Sequence, residues 1–548
     1  MRFTHTLSAA LLAASLLLLP TLLRADDETP AAKPATATAE KTTEKASPAE
    51  VTTQGTVDVG GQHIAYTAIA GTLTVGSTDA QDAQIGPDGK PLPGSQLANS
   101  EPKEPKDATP VARMFYVAYF KKDAKALDRP VTFFYNGGPG SSTVWLHMGS
   151  LGPKHVVTEG DQHLPPAPYK LVDNAYSLLD TSDLVFIDMP GTGFGRLIGK
   201  DAEKAFWGVD EDANAFARFI QRFITKYNRW NSPKYIFGES YGTTRSAVLS
   251  NILENRMSLD LNGVILLSQI FNFTTDIDYP DGNPGVDLPY VLALPTYAAT
   301  AWYHKKLPQQ PATLEPFLKD VEDYAMGPYA HALALGTDLT AAEKQQVAEK
   351  LHEYTGLPVA YLLKANLRVN GGEFEKTLQD DQDLTTGRLD TRFSGPTLDS
   401  LSQGAEYDPQ SSAISSAYVS LFNDYVRRDL KYGEGQTYLP EALFNGTHWD
   451  WAHHHNPFSL NVAKDLAEAL KTNPRLKIMV NGGYYDLATP FFTAVYEEKH
   501  LPIPQSLAKN IEYAWYESGH MVYVRDESLK QLHDRVAAFI KNTQADSK

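Results

Sequence analysis

Residues 235–249 constrain the fold of this chain more than any other segment. They begin with a short apolar run, continue with Gly-Glu-Ser-Tyr-Gly at 238–242 and end in a pattern typical of a helix. A Gly-x-Ser-x-Gly motif between a strand and a helix predicts a sharp turn that exposes the serine at the end of a sheet. The amides at the start of the helix favour the negative charge that develops when a nucleophile attacks. The exposed hydroxyl of Ser240 is therefore a candidate nucleophile.

Other short apolar runs predict the rest of a central sheet. They lie at 131–135, 184–188, 235–237, 264–267 and 476–480. Most are separated by helical patterns, the best marked at about 210–227. Strands that alternate with helices form mostly parallel sheets covered on both faces, so we predict the α/β class. Two antiparallel strands, 62–75 and 113–120, are expected before this sheet and are joined by a long loop at 82–110.

The first 52 residues predict an exported protein. Arg2, an apolar run at 7–19 and a cleavage point after Ala25 are typical of a signal peptide spanning residues 1–25. A membrane anchor is the alternative, but the run is shorter than the roughly 20 residues that span a bilayer. Residues 26–52 are rich in Ala, Thr, Pro, Lys and Glu and predict a flexible tether. We therefore expect a periplasmic or extracellular protein with no stable membrane span after signal cleavage.

The remaining chain divides into a sheet domain and an insertion. The strand pattern covers residues 53–285 and 450–548, which we assign to the α/β core. It disappears between 286 and 449, where the clearest element is a helix at 342–354. We therefore predict a helical cap inserted into the sheet domain.

Charge and cysteine content exclude several classes of function. The chain has 49 Lys and Arg against 66 Asp and Glu, a net charge of −17, so we expect no nucleic-acid partner. It has no cysteine, which excludes disulfides and a thiol nucleophile. A serine hydroxyl is a poor nucleophile until a base takes its proton, so Ser240 requires a histidine that a carboxylate orients.

The candidate base and carboxylate follow the last predicted strands. His520 lies after the strand-like residues 511–515, and Asp486 lies after the strand at 476–480. With Ser240 they follow the order Ser, Asp, His that a nucleophile elbow requires. His500 and His533 are rivals for the base, but the first follows a predicted helix and the second lies inside one.

A glycine-rich turn at 136–142 follows the strand at 131–135. Without side chains, its backbone amides can approach a ligand closely, which favours an anion-stabilising role. A phosphate-binding loop is the alternative. The turn has neither the lysine of a P-loop nor the glycine spacing of a dinucleotide site, so we do not favour it.

A histidine cluster near residue 450 is a less specific signal. His448, Asp450, His453, His454 and His455 offer metal-binding groups. Consecutive histidines point in different directions and lack the i, i+4 spacing that aims two rings at one metal. We therefore expect a loop of the cap or cleft rim and predict no metal and no cofactor.

Four motifs in this order resemble the serine carboxypeptidase family of α/β-hydrolases. They are Asn-Gly-Gly-Pro-Gly at 136–140, Asp188 with Gly-Thr-Gly-Phe at 191–194, Gly-Glu-Ser-Tyr-Gly at 238–242 and Gly-His-Met at 519–521. The likeness extends over roughly 113–540 and implies an α/β-hydrolase fold whose cap is the helical block. It implies Ser240 as nucleophile, Asp486 as the group that orients the base and His520 as the base.

The resemblance also implies binding groups and an activity. The backbone amides of Gly138 and Tyr241 would form the oxyanion hole, and Asn136 and Glu239 would bind the free C-terminal carboxylate of a peptide. The expected function is an exported serine carboxypeptidase that forms an acyl-enzyme intermediate, with a peptide bearing a free C-terminus as its partner.

Three positions depart from the family's eukaryotic pattern. Phe134 stands where a Trp is usual, Ser141 replaces a Cys, and Ser150 replaces a Glu. In the family that Trp and Glu help to hold the substrate carboxylate. An esterase or acyltransferase on the same scaffold, or a non-catalytic binding protein of this fold, therefore stay open as alternatives. The preferred substrate residue, the oligomeric state and any motion of the cap are not predicted.

Overall fold

A computed structural model describes residues 50–86, 88–99, 107–444, 449–454 and 459–545. The predicted signal peptide and residues 26–49 of the predicted tether lie outside these ranges. The strands within them are β1 Glu50–Val59, β2 Gln62–Gly76, β3 Val111–Lys121, β4 Val131–Tyr135, β5 Lys154–Val156, β6 Leu171–Asp173, β7 Asp183–Ile187, β8 Arg196–Ile198, β9 Lys234–Glu239, β10 Gly263–Leu267, β11 Leu384–Thr386, β12 Ser394–Pro396, β13 Lys477–Gly483 and β14 Ile511–Tyr516.

The central sheet has the order β1-β2-β3-β7-β4-β9-β10-β13-β14, with β8 added beside β3. The pairs from β1 to β7 are antiparallel, and the pairs from β7 to β14 are parallel. Strands β4, β7, β9 and β10 are buried along their whole length, as expected for strands covered on both faces. This arrangement confirms the predicted α/β class and places the carboxyl ends of the parallel strands along one edge.

The helices are α1 Asp79–Asp82, α2 Gln96–Asn99, α3 Val144–Gly149, α4 Ala202–Phe206, α5 Val209–Lys226, α6 Tyr241–Asn251, α7 Leu288–Tyr303, α8 Leu314–Tyr324, α9 Ala330–Leu335, α10 Ala341–Thr355, α11 Val359–Lys364, α12 Gly371–Thr377, α13 Pro409–Arg428, α14 Ala463–Thr472, α15 Phe491–Lys499, α16 Gln505–Ala508 and α17 Asp526–Ala545. Among the described helices, none combines the length and apolar character that crossing a membrane requires.

Two apolar cores cover the two faces of the sheet. Helices α5, α6 and α14 pack on one face, and helices α3, α13 and α17 pack on the other. Helix α5 shows why: Phe216, Ile220, Phe223 and Ile224 recur at three- and four-residue spacing and are all buried. The sheet is therefore a rigid support for the loops at its edge.

The chain between β10 and β13 holds the helical insertion. Helices α7, α8, α10 and α12 share a third apolar core, which also includes Tyr485 and Phe491 from the loop and helix after β13. Helix α13 instead packs in the core of the sheet. The predicted block 286–449 is therefore mostly helical but has two packing partners, and its division into core and cap stays a prediction.

Two local predictions differ from the structure. Strand β1 begins at Glu50, so residues 50–52 are strand and not part of the tether, because Glu50 continues the antiparallel pairing with β2 at Gly71. The predicted long loop at 82–110 contains the short helix α2, and its residues 87 and 100–106 lie outside the described ranges.

Candidate active site

Ser240 lies alone between strand β9 and helix α6. Its φ and ψ are 60° and −132°, a conformation that costs a non-glycine residue about 1–3 kcal/mol. A Cβ atom on Gly238 would lie 2.2 Å from the carbonyl oxygen of Gly242, so the turn requires glycine there. The backbone amide of Ser240 donates to the Leu267 carbonyl at 2.9 Å. The turn is thus tied to β10 and presents Ser240 at the carboxyl edge of the sheet.

Asp486 and His520 follow the neighbouring strands β13 and β14 at the same edge. Nδ1 of His520 lies 2.9 Å from Oδ2 of Asp486. Thr489 donates to this carboxylate from its backbone amide at 2.9 Å and from its hydroxyl at 2.7 Å. Asp486 is fully buried. Its carboxylate therefore fixes the imidazole ring with Nδ1 toward Asp486 and leaves Nε2 as the nitrogen that can exchange a proton.

The ring of His520 has a pKa above its ordinary value. Burial lowers the pKa of this ring, but the charge and the hydrogen bond of Asp486 outweigh that effect. Because Asp486 raises this pKa, it stabilises the protonated, imidazolium form of His520. A base that receives a proton during a reaction needs this stabilisation.

A cavity of about 520 Å³, which we call the catalytic cavity, contains the candidate residues. Asn136, Gly138, Glu239, Ser240 and His520 all line it. Within the described part of the chain, the Ser240 hydroxyl makes no hydrogen bond to His520. Such bonds are often long in ligand-free enzymes and tighten when substrate binds. The other lining residues include Trp145, Arg388, Gln410, Ser415, Glu441 and Met521.

A segment of the insertion, residues 388–392, joins the Asp486 and His520 loops. The carbonyl of Arg388 accepts a hydrogen bond from the Leu487 amide at 3.1 Å. The carbonyl of Leu389 accepts one from the His520 amide at 2.6 Å. The insertion therefore contacts the backbone of both loops and helps to set their separation.

Two charged side chains of the same segment add to this contact. Oδ2 of Asp390 accepts from the Gly519 amide at 3.1 Å and from Nη2 of Arg392 at 2.6 Å, and Arg392 also donates to Ser518 Oγ at 3.2 Å. Both charged side chains are buried. A Cβ atom on Gly519 would lie 2.4 Å from Cβ of Asp390, which explains the glycine before His520.

The glycine loop after β4 lies directly against the start of α6. A Cβ atom on Gly137 would lie 2.4 Å from the amide nitrogen of Tyr241. Gly138 and Gly140 have φ values of +102° and +104°, which L side chains rarely adopt. The predicted oxyanion amides, those of Gly138 and Tyr241, therefore belong to two touching segments beside Ser240. Paired backbone amides of this kind can stabilise an oxyanion.

Buried charged side chains contact the glycine loop and the residue that follows it. Arg245 pairs with Asp212 at 2.5 Å, and its Nη1 donates to the Asn136 carbonyl at 2.6 Å. The Arg245 and Asp212 side chains are fully buried. On the other side of the loop, Asp188 accepts a hydrogen bond from the Thr143 amide at 2.7 Å. Asp188, part of a predicted motif, therefore has a supporting contact with the loop.

Glu239 is buried next to the candidate nucleophile. Burial raises the pKa of Glu239 to about 7, while the charge of His520 and a hydrogen bond from Tyr523 act in the opposite direction. The Tyr523 hydroxyl donates to the two carboxylate oxygens at 2.9 and 3.2 Å. Below about pH 7 the Glu239 carboxyl therefore keeps its proton and can donate a hydrogen bond to an anion.

Of the three atypical positions, Ser141 lines the catalytic cavity, whereas Phe134 and Ser150 offer no polar group to its described wall. The ring of Phe134 stacks between those of Phe186 and Phe237, with centroids 4.8 and 5.0 Å away. The Ser150 hydroxyl donates to the Leu146 carbonyl at 2.5 Å. Among the residues that the structure describes, neither Phe134 nor Ser150 lines the cavity.

The rival histidines have other surroundings. His500 is exposed, and its Nδ1 is 2.7 Å from the Tyr496 carbonyl. His533 lies 3.4 Å from Asp180 and 3.0 Å from Asp534. Neither histidine lines the catalytic cavity in the described ranges.

The histidine cluster is only partly described. His448 and His455 lie outside the described residues, whereas Asp450, His453 and His454 belong to the segment 449–454. Trp449 and Trp451 of this segment have ring centroids 5.4 and 6.1 Å from that of Tyr241. The segment therefore lies beside the start of α6.

Four residues around the site were missing from the sequence analysis. Tyr523 follows His520 by three residues, so a search of the His520 loop for hydroxyl groups would have found it. Thr489 could likewise have been found as a hydroxyl three residues after Asp486. Asp390 and Arg392 lie in the insertion and carry no local signal that relates them to the His520 loop.

Sequence comparisons find one family. The profile of the serine carboxypeptidase family matches residues 106–517. A serine carboxypeptidase-like protein of Oryza sativa subsp. japonica is 32% identical over 133 residues, 24% of this chain and 28% of that protein. Serine carboxypeptidase-like 7 of Arabidopsis thaliana is 26% identical over 179 residues, 30% of this chain and 39% of that protein. The matches thus span well under half of these relatives' lengths.

A solved structure supports the fold. The prohormone-processing carboxypeptidase KEX1 of Saccharomyces cerevisiae superposes with a TM-score of 0.51 over 88% of this chain and 91% of that chain. The two sequences are 15% identical, so this likeness shows a shared fold.

Proposed function

Because the chain belongs to the serine carboxypeptidase family, we propose that it is a serine hydrolase that releases C-terminal residues from peptides. One observation carries the proposal beyond family membership. Nδ1 of His520 lies 2.9 Å from Asp486, and its ring lines the same cavity as Ser240. A nucleophile, a base and an orienting carboxylate are the parts that acyl transfer needs.

The proposed reaction begins at Ser240. Its Oγ attacks the carbonyl carbon of the last peptide bond, and Nε2 of His520 takes the hydroxyl proton. The same nitrogen then gives the proton to the leaving amine, so the C–N bond breaks and an acyl-enzyme remains. Water deprotonated by His520 attacks this ester and releases the shortened peptide. Asp486 holds the ring throughout.

Backbone amides stabilise the negative charge of the two tetrahedral intermediates in this proposal. The amides of Gly138 and Tyr241 are the donors, because their segments touch beside Ser240. Loss of one such donor in other serine hydrolases costs about 10²- to 10³-fold in kcat.

We assign recognition of the substrate's C-terminal carboxylate to Asn136 and Glu239. Glu239 is buried and keeps its proton below about pH 7, so it can donate a hydrogen bond to the substrate carboxylate. Two ionised carboxylates at hydrogen-bonding distance would repel each other. Peptides with a free C-terminus would therefore be preferred to amidated peptides.

A second candidate function is an esterase or acyltransferase with the same nucleophile. It is favoured by one observation, that Phe134 and Ser150 contribute no polar group to the described cavity wall. Carboxylate recognition would then be weak while acyl chemistry is unchanged.

Export is also part of the proposal. It rests on the sequence of residues 1–25, where a basic residue precedes an apolar run and a cleavage point. Fractionation of cells that produce the full chain, with N-terminal sequencing of the product, would test it. A chain that keeps residues 1–25 would contradict it.

The activity is tested with Ser240→Ala and a control, Ser415→Ala, at another serine of the same cavity. Matched blocked dipeptides with free, amidated and esterified C-termini are the substrates. We expect Ser240→Ala to lose about 10⁴- to 10⁶-fold in kcat on all of them, and Ser415→Ala to stay within a few-fold. Equal rates on free and amidated peptides would favour the second candidate, and full activity of Ser240→Ala would overturn both.

A further inference from the structure

The segment 449–454 contacts the start of helix α5 and the start of helix α14. The Val209 amide donates to the Asp450 carbonyl at 2.9 Å, and the Asp450 amide donates to the Trp207 carbonyl at 3.1 Å. His453 and His454 follow this anchor. They lie near Asp210, in the first turn of α5, and near Asp465, in the first turn of α14.

His453 has a carboxylate on each side of its ring. Nδ1 lies 2.6 Å from Oδ1 of Asp210, and Nε2 lies 2.8 Å from Oδ2 of Asp465. The His454 ring lies against the His453 ring, with centroids 3.9 Å apart and the ring planes tilted by 35°. Asp210, His453 and His454 each have one candidate ligand atom, and these atoms lie within 4.8 Å of one another. Two imidazoles and a carboxylate are thus gathered from distant parts of the chain.

We propose that Asp210, His453 and His454 bind one divalent transition-metal ion of the Zn²⁺ class. The donor set of two imidazole nitrogens and one carboxylate oxygen suits Zn²⁺, which binds three protein ligands and leaves a position for water in open sites. The ion takes the place of the proton between His453 Nδ1 and Asp210, and that proton is released to solvent.

Asp465 completes the arrangement without binding the ion. It accepts the hydrogen bond of His453 Nε2, which fixes the tautomer that leaves Nδ1 for the metal. Metal-bound histidines almost always donate their other N–H group to a carboxylate, a carbonyl or water. The sequence alone argued against a metal because adjacent histidines point apart. The structure adds the two aspartates and brings the two rings together.

The site is open to solvent on one side. A cavity of about 250 Å³ adjoins it, and its lining includes Asp210, His454, Asp465, Asn214, Asn251 and the positively charged Arg256. The His454 side chain is 63% exposed, so its ring can turn to shorten the ligand spacing. Zn²⁺ needs about 2.0–2.1 Å to each nitrogen and about 2.0–2.2 Å to oxygen.

The test is a calorimetric titration of the full-length protein with Zn²⁺ after dialysis against a chelator. We expect one equivalent to bind and the melting temperature to rise. His454→Ala should weaken binding at least 10-fold and remove the thermal shift. Because His454 is exposed, this variant should melt at the temperature of the metal-free parent.

His63→Ala is the matched control, because exposed His63 also lies 2.8 Å from an aspartate, Asp58. It should bind Zn²⁺ as the parent does. The proposal is overturned if no Zn²⁺ binds, if His454→Ala binds it with parental affinity, or if His63→Ala loses binding to the same extent as His454→Ala. None of these results depends on the proposed peptidase activity.

Discussion

His520 and His453 are both buried and lie against carboxylates, but their surroundings differ. His520 meets one carboxylate, Asp486 at 2.9 Å, and its ring lines the catalytic cavity. His453 meets two, Asp210 at 2.6 Å and Asp465 at 2.8 Å, one at each ring nitrogen. Burial lowers the pKa of both rings, and the carboxylates raise it. The net pKa is above the ordinary value for His520 and about 9 for His453.

The difference shows what a proton-transferring histidine requires beyond burial and a carboxylate. One ring nitrogen must stay available to the reacting group, as Nε2 is in His520, whose ring lines the same cavity as Ser240. When both nitrogens are engaged, as in His453, the ring is suited to hold segments together. In our proposals the first arrangement serves catalysis, and the second holds segments together and exchanges its Nδ1 proton for a metal ion.

The strongest test of this comparison removes each ring in turn. His520→Ala should reduce peptide kcat by about 10⁴- to 10⁶-fold, because Ser240 loses its base. His453→Asn should leave kcat per folded molecule within a few-fold of the parent. It should instead lower the melting temperature, since the buried carboxylate of Asp465 and the partly buried carboxylate of Asp210 lose a partner. Similar losses of kcat in the two variants would contradict the distinction.

The next effect concerns the carboxylate that orients the base. Asp486→Asn should reduce kcat by about 10⁴-fold, because the amide favours the wrong imidazole tautomer. The measurement is kcat on one blocked dipeptide, with the melting temperature as the folding control. If Asp486→Asn keeps parental activity, a different carboxylate must orient His520.

A smaller loss of kcat is expected when the contact between the insertion and the His520 loop is weakened. Asp390→Asn removes charge from the group that binds Gly519 and Arg392. We expect kcat to fall about 10- to 100-fold with little change in KM, since the base is displaced while the substrate site is intact.

Asp287→Asn is its matched control. Asp287 forms a similar pair with Arg368, at 2.7 and 2.8 Å, but elsewhere in the insertion. If both variants lose the same stability and neither loses kcat, the Asp390 contact is merely structural. Asp390→Glu, which keeps the charge, should recover part of the lost kcat.

The smallest predicted effect is a shift in pH dependence. The raised pKa of Glu239, about 7, means that this group is protonated below pH 7 and loses its proton as the pH rises. Peptide kcat/KM should therefore fall above about pH 7, whereas ester substrates should keep their activity. Glu239→Gln, which cannot ionise, should remove this alkaline limb.

Tyr523→Phe sharpens the same test. The Tyr523 hydroxyl lowers the pKa of Glu239 by donating to its carboxylate, so the variant should move the alkaline limb to higher pH. A single pH profile shared by peptides and esters in all these variants would show that Glu239 does not recognise a carboxylate.

The fold class and the candidate triad could be predicted because their signals are local. Ser240, Asp486 and His520 each follow a short apolar strand, and the carboxyl ends of parallel strands meet at one sheet edge. The strands and helices could be predicted from residues that are close together in the sequence. The packing of α13 against the sheet, separate from the other helices of the insertion, had no such local sign.

The supporting contacts could not be predicted because they join distant residues. Asp390 and Gly519 are 129 positions apart, and Asp210 and His453 are 243 positions apart. Each pair depends on where the insertion and the segment 449–454 pack against the rest of the protein. No periodicity or spacing in the sequence predicts these contacts.

The most direct test of the central claim is covalent labelling with a fluorophosphonate, followed by mass spectrometry of the intact protein and its peptides. We predict one adduct, located on Ser240, in the parent and in His453→Asn, and a greatly slowed reaction in His520→Ala. An adduct on another residue, or equal labelling rates in His520→Ala and the parent, would contradict it.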